Sequence, residues 1–203
     1  MTRLVLASAS PGRLATLRRA GVEPLVQVSG VDEDFVLATA PGATEPADVA
    51  LLLARAKAEA VAPTVEDAVV VGCDSVLELD GAVHGKPRDA AQATARWRAM
   101  RGRCGVLHSG HWVVDRRHAG GHAATGAVAS TTVHFADVTD DEISAYVATG
   151  EPLQVAGGFT IDGLGGAFVE WIEGDHHNVV GLSLPLLRRL LADLGVRWTD
   201  LWS

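Results

Sequence analysis

Residues 4–13 read Leu-Val-Leu-Ala-Ser-Ala-Ser-Pro-Gly-Arg. The apolar run 4–7 reads as a buried strand, and the chain leaves it through small hydroxyl residues. Ser10 before Pro11 is the sequence form of a helix start, with a side-chain oxygen as N-cap and proline at the first position. Leu14 and Leu17 then share a face, and Gly21 stops the helix. The same residues also describe an anion site. Backbone N–H groups are free at a helix N-terminus, and the helix dipole favours negative charge there. Ser8 and Ser10 supply hydroxyl donors, and Arg13 a planar cationic fork suited to phosphate. Capping and anion binding both fit, and the stretch is not a Walker loop, because GxxxxGK[ST] is absent.

A strand followed at once by a helix points to an α/β domain, and the rest of the chain continues the pattern. Val26–Val28 reads as a short strand, and residues 31–34, Val-Asp-Glu-Asp, as an acidic loop or strand end. Thr44-Glu45-Pro46 opens a second helix that runs to Pro63. Ala68–Val71 is a buried strand and Asp80-Gly81 a hairpin turn. Asp89 caps a helix carrying Ala93, Trp97 and Met100 on one face. Strands are expected at 110–115 and 127–135, joined by the Gly/His-rich turn 118–122. Thr139 and Glu142 form a capping box for a helix ending near Gly150. A strand follows near 167–172, and a last helix spans about 185–194. Helices alternate with strands early, and strands pair as hairpins in the middle. The expectation is a mixed β-sheet flanked by helices, in one domain over residues 1–203 with no separable linker.

Composition narrows the function. The formal net charge of -8 and the lack of a basic stripe argue against stable nucleic-acid binding. No apolar stretch is long enough for a membrane span, and no signal peptide is visible, so a cytoplasmic protein with reduced thiols is expected. Cys73 and Cys104 form no metal or disulfide pattern. His108 and His111 have HxxH spacing, but no HExxH or Cys/His zinc pattern is present.

Three further positions carry candidate chemistry. Asp74 lies just past a buried strand, where α/β proteins place ligands, and could bind Mg²⁺ or activate water; it could equally cap the strand end. Lys86, between Gly85 and Pro87, has a restricted backbone and an arm that could reach a phosphate, or is a surface turn lysine. Lys57 sits on the second helix, and Glu33 in the acidic run could join Asp74 at a metal.

These pieces stand in the order of a known family. The chain resembles the Maf nucleotide pyrophosphatases, also called septum-formation inhibitor proteins, over nearly its whole length. LASASPGRLATLRRAG is similar to the family's LASxSPRR…LL…G signature. VDED falls at its acidic position, ARAKA at its lysine helix, VVGCDSV at its ADT segment, and GKP stands unchanged. ISAYVATGEPLQVAGGF and IEGDHHNVVGLSLPLL are similar to YxxxGEPxxxAGxY and IEGsxxNVvGLP.

The resemblance implies hydrolysis of nucleoside triphosphates between the α and β phosphates, with Mg²⁺ or Mn²⁺ as cofactor. It implies an elongated mixed sheet with two lobes around a central cleft, like the inosine triphosphate pyrophosphatases, and a homodimer. Asp74 matches the general base. Ser8, Arg13, Lys57 and Lys86 match the phosphate site, to which the residue reading adds Ser10, and Glu33 matches an acidic residue of the cleft, the candidate metal partner of Asp74. The contrasting reading is a division inhibitor that acts by binding a partner with weak or no catalysis.

Three positions linked with base recognition depart from the family's pattern. Gly12 stands where many members carry arginine or tryptophan, Ser75 where threonine or glutamine is common, and Asp162 where the branches acting on dTTP/UTP and 7-methyl-GTP have glutamine or glutamate. An ionised Asp162 accepts hydrogen bonds but does not donate them, which favours a base edge rich in N–H donors, such as guanine or a modified purine. Gly105 also replaces a histidine often seen after "GR".

Overall fold

In a computed structural model, which describes residues 2–40, 45–118 and 123–202, the opening stretch forms a strand and then a capped helix. β1 (Leu4–Leu6) ends as Ala7 donates its N–H to Val71 O at 2.8 Å. α1 (Pro11–Arg19) starts with Ser10 as N-cap, its hydroxyl accepting from Arg13 N at 3.4 Å. β2 (Leu25–Val26) follows. The acidic run, expected as a loop or strand end, instead opens α2 (Glu33–Thr39). Asp32 accepts from Phe35 N at 3.0 Å, and two carboxylates occupy the first turn, where the helix dipole favours them.

α3 (Pro46–Val61) leads to β3 (Val69–Leu79), which runs well past the apolar segment 68–71. Asp80 and Gly81, both at positive φ, turn the chain into β4 (Ala82–His84). α4 (Ala90–Met100) is capped by Asp89. β5 (Cys104–Asp115) and β6 (Ala124–Phe135) both start earlier than the sequence indicates. The turn expected between them lies, apart from His118, outside the described residues. α5 (Asp140–Ala148) carries the expected capping box. β7 (Val169–Glu173), a short α6 (His176–Val180) capped by Asp175, and α7 (Leu184–Asp193) complete the order.

The strands form one mixed sheet in the order β2-β1-β3-β5-β6-β7, with β4 also paired to β3. β1 is parallel to β2 and β3, and the remaining pairs are antiparallel. Successive residues of a strand face opposite sides, and paired residues share a side. Gly72, Asp74, Val76, His108 and Gly110 therefore face α3, while Cys73, Ser75, Ser109 and His111 face α1, α6 and α7. His108 and His111, three apart on β5, point to opposite sides of the sheet.

Two apolar cores share the second face. One joins Leu17, Val71, Cys73 and Val113 to Leu187 and Leu191 of α7. The other joins Leu77, Leu107 and Val133 to Trp97 of α4 and Ile143 of α5. On the first face, Ala58 and Val61 of α3 pack on Val5 and Val70.

Glycines let α3 approach this closely. A Cβ on Gly72 would lie 2.2 Å from Ala54 O, and one on Gly110 2.2 Å from Ala50 O. The helix backbone thus rests directly on the sheet and fixes where Lys57 emerges. Gly72→Ala is expected to lower unfolding free energy in a denaturant titration by about 3 kcal/mol, because the neighbour is backbone that must shift. Gly85→Ala, with nothing within 4 Å of the new Cβ, is expected to stay within about 0.5 kcal/mol.

Candidate active site

β3 has one edge that two short strands share. β1 covers residues 69–71 and β4 covers 77–79, while β5 pairs continuously along the other edge. Among the described residues, 72–76 have no strand partner on that edge, and Asp74 lies in the middle of the gap. The β1–α1 turn borders the gap on one side. On the other, β4 runs back along β3 toward it, carrying the chain through His84 to Gly85-Lys86-Pro87.

Asp74 is 8% exposed and faces α3. Lys57 Nζ stands 2.5 Å from Asp74 Oδ1 and 2.6 Å from Glu33 Oε1, so one ammonium bridges two carboxylates. Burial pushes the Asp74 carboxyl above the usual range, against the pull of the Lys57 and Arg13 charges. Next to it, burial pushes the Cys73 thiol up to about 11, which leaves it a protonated core residue and not a nucleophile.

Arg13 works from the opposite face. It is 8% exposed, yet each of its hydrogen-bond partners among the described residues is neutral. Nε donates to Gly181 O at 2.8 Å, Nη1 to Cys73 O at 2.8 Å and to Ser8 Oγ at 3.0 Å, and Nη2 to Ser75 Oγ at 3.1 Å. Four of its five N–H groups are thus committed, and one Nη2 N–H is left over. The fork ties the β1–α1 turn, the open edge of β3 and the α6–α7 turn together, and it holds a buried positive charge with no carboxylate in contact among the described residues. Ser8 Oγ accepts from Ser10 N at 3.2 Å as well as from Arg13. Its own proton is therefore left to donate.

The structure brings Ser8, Ser10 and Arg13 together on one side of the gap, and Lys57, Asp74 and Glu33 on the other. Lys86 is exposed and makes no hydrogen bond or ion pair among the described residues. Its turn is braced instead: Gly85 O accepts from Gly157 N at 3.1 Å and from Arg96 Nη1 at 2.6 Å.

The three departing positions separate. A Cβ on Gly12 would meet Val180 at 3.2 Å, and Ser75 is buried beneath Gly181. Asp162 lies on an exposed turn. That turn is held by Glu151, which accepts from Tyr146 Oη (2.8 Å), Thr160 Oγ1 (2.5 Å), Leu164 N (3.0 Å) and Gly165 N (3.0 Å). Burial acts to raise the Glu151 carboxyl, but these donors outweigh it and hold it below the usual range.

Buried polar residues, of which the sequence already marks Ser75 and His111, support the site from below. Ser75 Oγ and Ser109 Oγ are 2.7 Å apart, and Ser109 donates to Asn178 O at 3.2 Å. Asn178, fully buried, donates from Nδ2 to Leu107 O and Thr131 Oγ1 at 3.1 and 3.0 Å. His111 donates through Nδ1 to Ser109 O at 3.0 Å and accepts at Nε2 from Ser183 N at 2.8 Å. Asn178 and Ser183 stand in the segment Asn-Val-Val-Gly-Leu-Ser, whereas Ser109 has no sequence signal.

Among the described residues, no group of three or more His, Cys, Asp and Glu side chains is placed to hold a metal. Two carboxylates already bridged by a cationic group nevertheless fit the hard-cation mode in which one or two carboxylates and substrate phosphates share the ion.

Charges gathered at the open edge of a strand beside a helix N-terminus mark an α/β protein with a site suited to an anionic ligand. The chain belongs to the Maf-like protein family, whose model matches residues 3–194. A Streptomyces coelicolor relative named nucleoside triphosphate pyrophosphatase is 61% identical over 203 residues, covering 99% of this chain and 95% of its own. A relative of the same name from Salinispora tropica is 63% identical, covering 99% and 88%. A solved HAM1 protein from Coxiella burnetii aligns over 68% of this chain and 75% of that one, at 18% identity and a TM-score of 0.38.

The buried polar layer gives a pH test. Burial lowers His111 to about 4 from an ordinary 6.5. Between those values the unfolded chain binds the extra proton, so stability present above pH 6.5 is lost as pH falls toward 4. The expected slope approaches 1.4 kcal/mol per pH unit. Urea titrations from pH 7 to pH 4 should show it, and His111→Gln should flatten that part of the curve.

Proposed function

We propose that this chain hydrolyses nucleoside triphosphates between the α and β phosphates, releasing a nucleoside monophosphate and pyrophosphate. The observation that carries the reading is the gap in the β3 edge, where a carboxylate pair and a lysine face a helix N-terminus across one strand. The names of the close relatives support the same reaction.

The triphosphate enters with its phosphates against the β1–α1 turn. The Gly12 N–H in the first turn of α1, left over because Arg13 N and Leu14 N both donate to Ser10, and the Ser8 hydroxyl donate to phosphate oxygens. Arg13 contributes charge from beneath, and its committed hydrogen bonds keep it from moving, so its field needs little reorganisation. Lys86, on its braced turn, closes on the phosphates from the β4 side. Asp74 and Glu33 would hold a Mg²⁺ or Mn²⁺ ion, which would neutralise phosphate charge and acidify a bound water. Asp74 accepts the proton of the attacking water. A raised carboxyl serves that role better than an ordinary one.

The base falls to Asp162. Gly12 offers no side chain and Ser75 is committed to Arg13 and Ser109, which leaves an acceptor on an exposed turn. The preferred base edge is rich in N–H donors, as in guanine or a modified purine.

Asp74→Asn is expected to cut pyrophosphate release by about 10²–10⁴-fold with the unfolding midpoint retained. Near-normal turnover in that variant would falsify the assignment. Across a panel of canonical and modified triphosphates, Asp162→Gln should move the kcat/KM ratio of uracil to guanine substrates upward by about tenfold, the worth of one hydrogen bond. An unchanged ratio removes Asp162 from base selection.

A further inference from the structure

Lys57 is placed where a cation between Glu33 and Asp74 would lie. Its Nζ is 2.6 Å from one carboxylate and 2.5 Å from the other, and its side chain is 13% exposed. We propose that Lys57 is the resident counter-cation of this carboxylate pair, and that it gives up both carboxylates to an arriving divalent ion and swings its ammonium to the phosphates. The inference rests on reading Glu33 and Asp74 as the cation ligands, and it assigns Lys57 a role beyond simply lining the phosphate site.

Electrostatics makes the two occupants exclusive. An ammonium and a divalent ion cannot share two carboxylate oxygens without strong like-charge repulsion at contact distance. Without the lysine, two carboxylates would face each other uncompensated, one of them buried. With both cations present, the ammonium must go elsewhere. The phosphates, which arrive with the metal, are the nearest chemistry that wants it.

The surroundings permit this motion and little else. α3 rests on the sheet at Gly72 and Gly110, so the Lys57 backbone is fixed and only its flexible arm can swing. Asp74 is fixed in β3. Glu33 is the adjustable partner: it is 50% exposed and sits in the first turn of α2, a helix with no buried residue. The carboxylate pair can therefore close from an ammonium to a metal ion by a shift on the α2 side alone.

The consequence is counter-intuitive for a cationic active-site residue. Removing Lys57 should strengthen metal binding in the absence of nucleotide, while weakening the grip on nucleotide. Mn²⁺ binding by electron paramagnetic resonance, on the full chain without nucleotide, reads this directly. Lys57→Met is expected to bind Mn²⁺ at least about tenfold more tightly than the wild type, and Lys57→Arg to remain as weak as the wild type. Equal or weaker Mn²⁺ affinity in Lys57→Met overturns the proposal.

The wild type supplies a second readout that needs no variant. The chain has two lysines, Lys57 and Lys86. Reductive methylation followed by peptide mass spectrometry should find Lys57 slow and exposed Lys86 fast. Mg²⁺ without nucleotide should accelerate Lys57 and leave Lys86 unchanged. A Lys57 rate that Mg²⁺ leaves unchanged or slows also overturns the proposal. Pyrophosphate release by the wild type is scored separately, so loss of the catalytic reading and loss of the exchange role are distinguishable.

Discussion

Everything at the site depends on β3 having an incomplete edge. An eleven-residue strand flanked on one side by two three-residue strands leaves a middle stretch whose backbone is not used up by the ladder. Local chemistry sets both limits. Beyond Leu6 the chain meets Ser8, Ser10 and Pro11, and turns into a capped helix. Beyond His84 it meets Gly85 and Pro87, and proline cannot donate to a ladder. The carbonyl of Cys73 in the opening is taken by Arg13, which is how a helix residue comes to be anchored on a strand edge.

The opening places opposite charges on the two sides of one strand. Asp74 and Lys57 lie over the α3 side, and Arg13 lies beneath on the α1 side. Burying a guanidinium without an ion pair is costly unless its N–H groups are satisfied. Here two carbonyls and two hydroxyls do that and leave the charge unneutralised. Asp74 feels that charge and the Lys57 charge, and both oppose the burial that raises its carboxyl. The net result is an opening where Lys57 is shared by two carboxylates on one side and Arg13 keeps an unpaired charge on the other, a division that suits the proposed triphosphate substrate.

The features legible in the sequence are those with local causes. Ser10, Pro11, the Asp80-Gly81 turn and the Thr139/Glu142 box each act within four residues, and each stands where the residues imply. The true length of β3 was not legible. Extending it through Gly-Cys-Asp-Ser puts polar side chains in a buried strand, and only cross-strand partners such as Ser109 make that tolerable. The acidic run was misread because Asp32 as an N-cap turns a charged segment into a helix start. For the site, the residue types around the gap could be named, but the state of Arg13 could not. Its partners at Cys73 and Gly181 lie 60 and 168 residues away, and no spacing rule reaches that far.

Strand register finally joins the two halves of the site. Ser75, Ser109, Thr131 and Asn178 form a polar seam between the two apolar cores on the α1 side, and they hold the turn whose Gly181 carbonyl orients Arg13. Asp74 and Ser75 are adjacent, so they necessarily face opposite ways. A one-residue slip of β3 would exchange them. The carboxylate would then face Arg13 in the polar seam and neutralise the charge left there, while Lys57 would face a hydroxyl that cannot compensate it. Apolar residues flanking the pair resist that slip, since Leu77 and Val71 would leave their cores together. The packing of the two cores is therefore what keeps the carboxylate on the lysine side and the guanidinium free of a counter-charge.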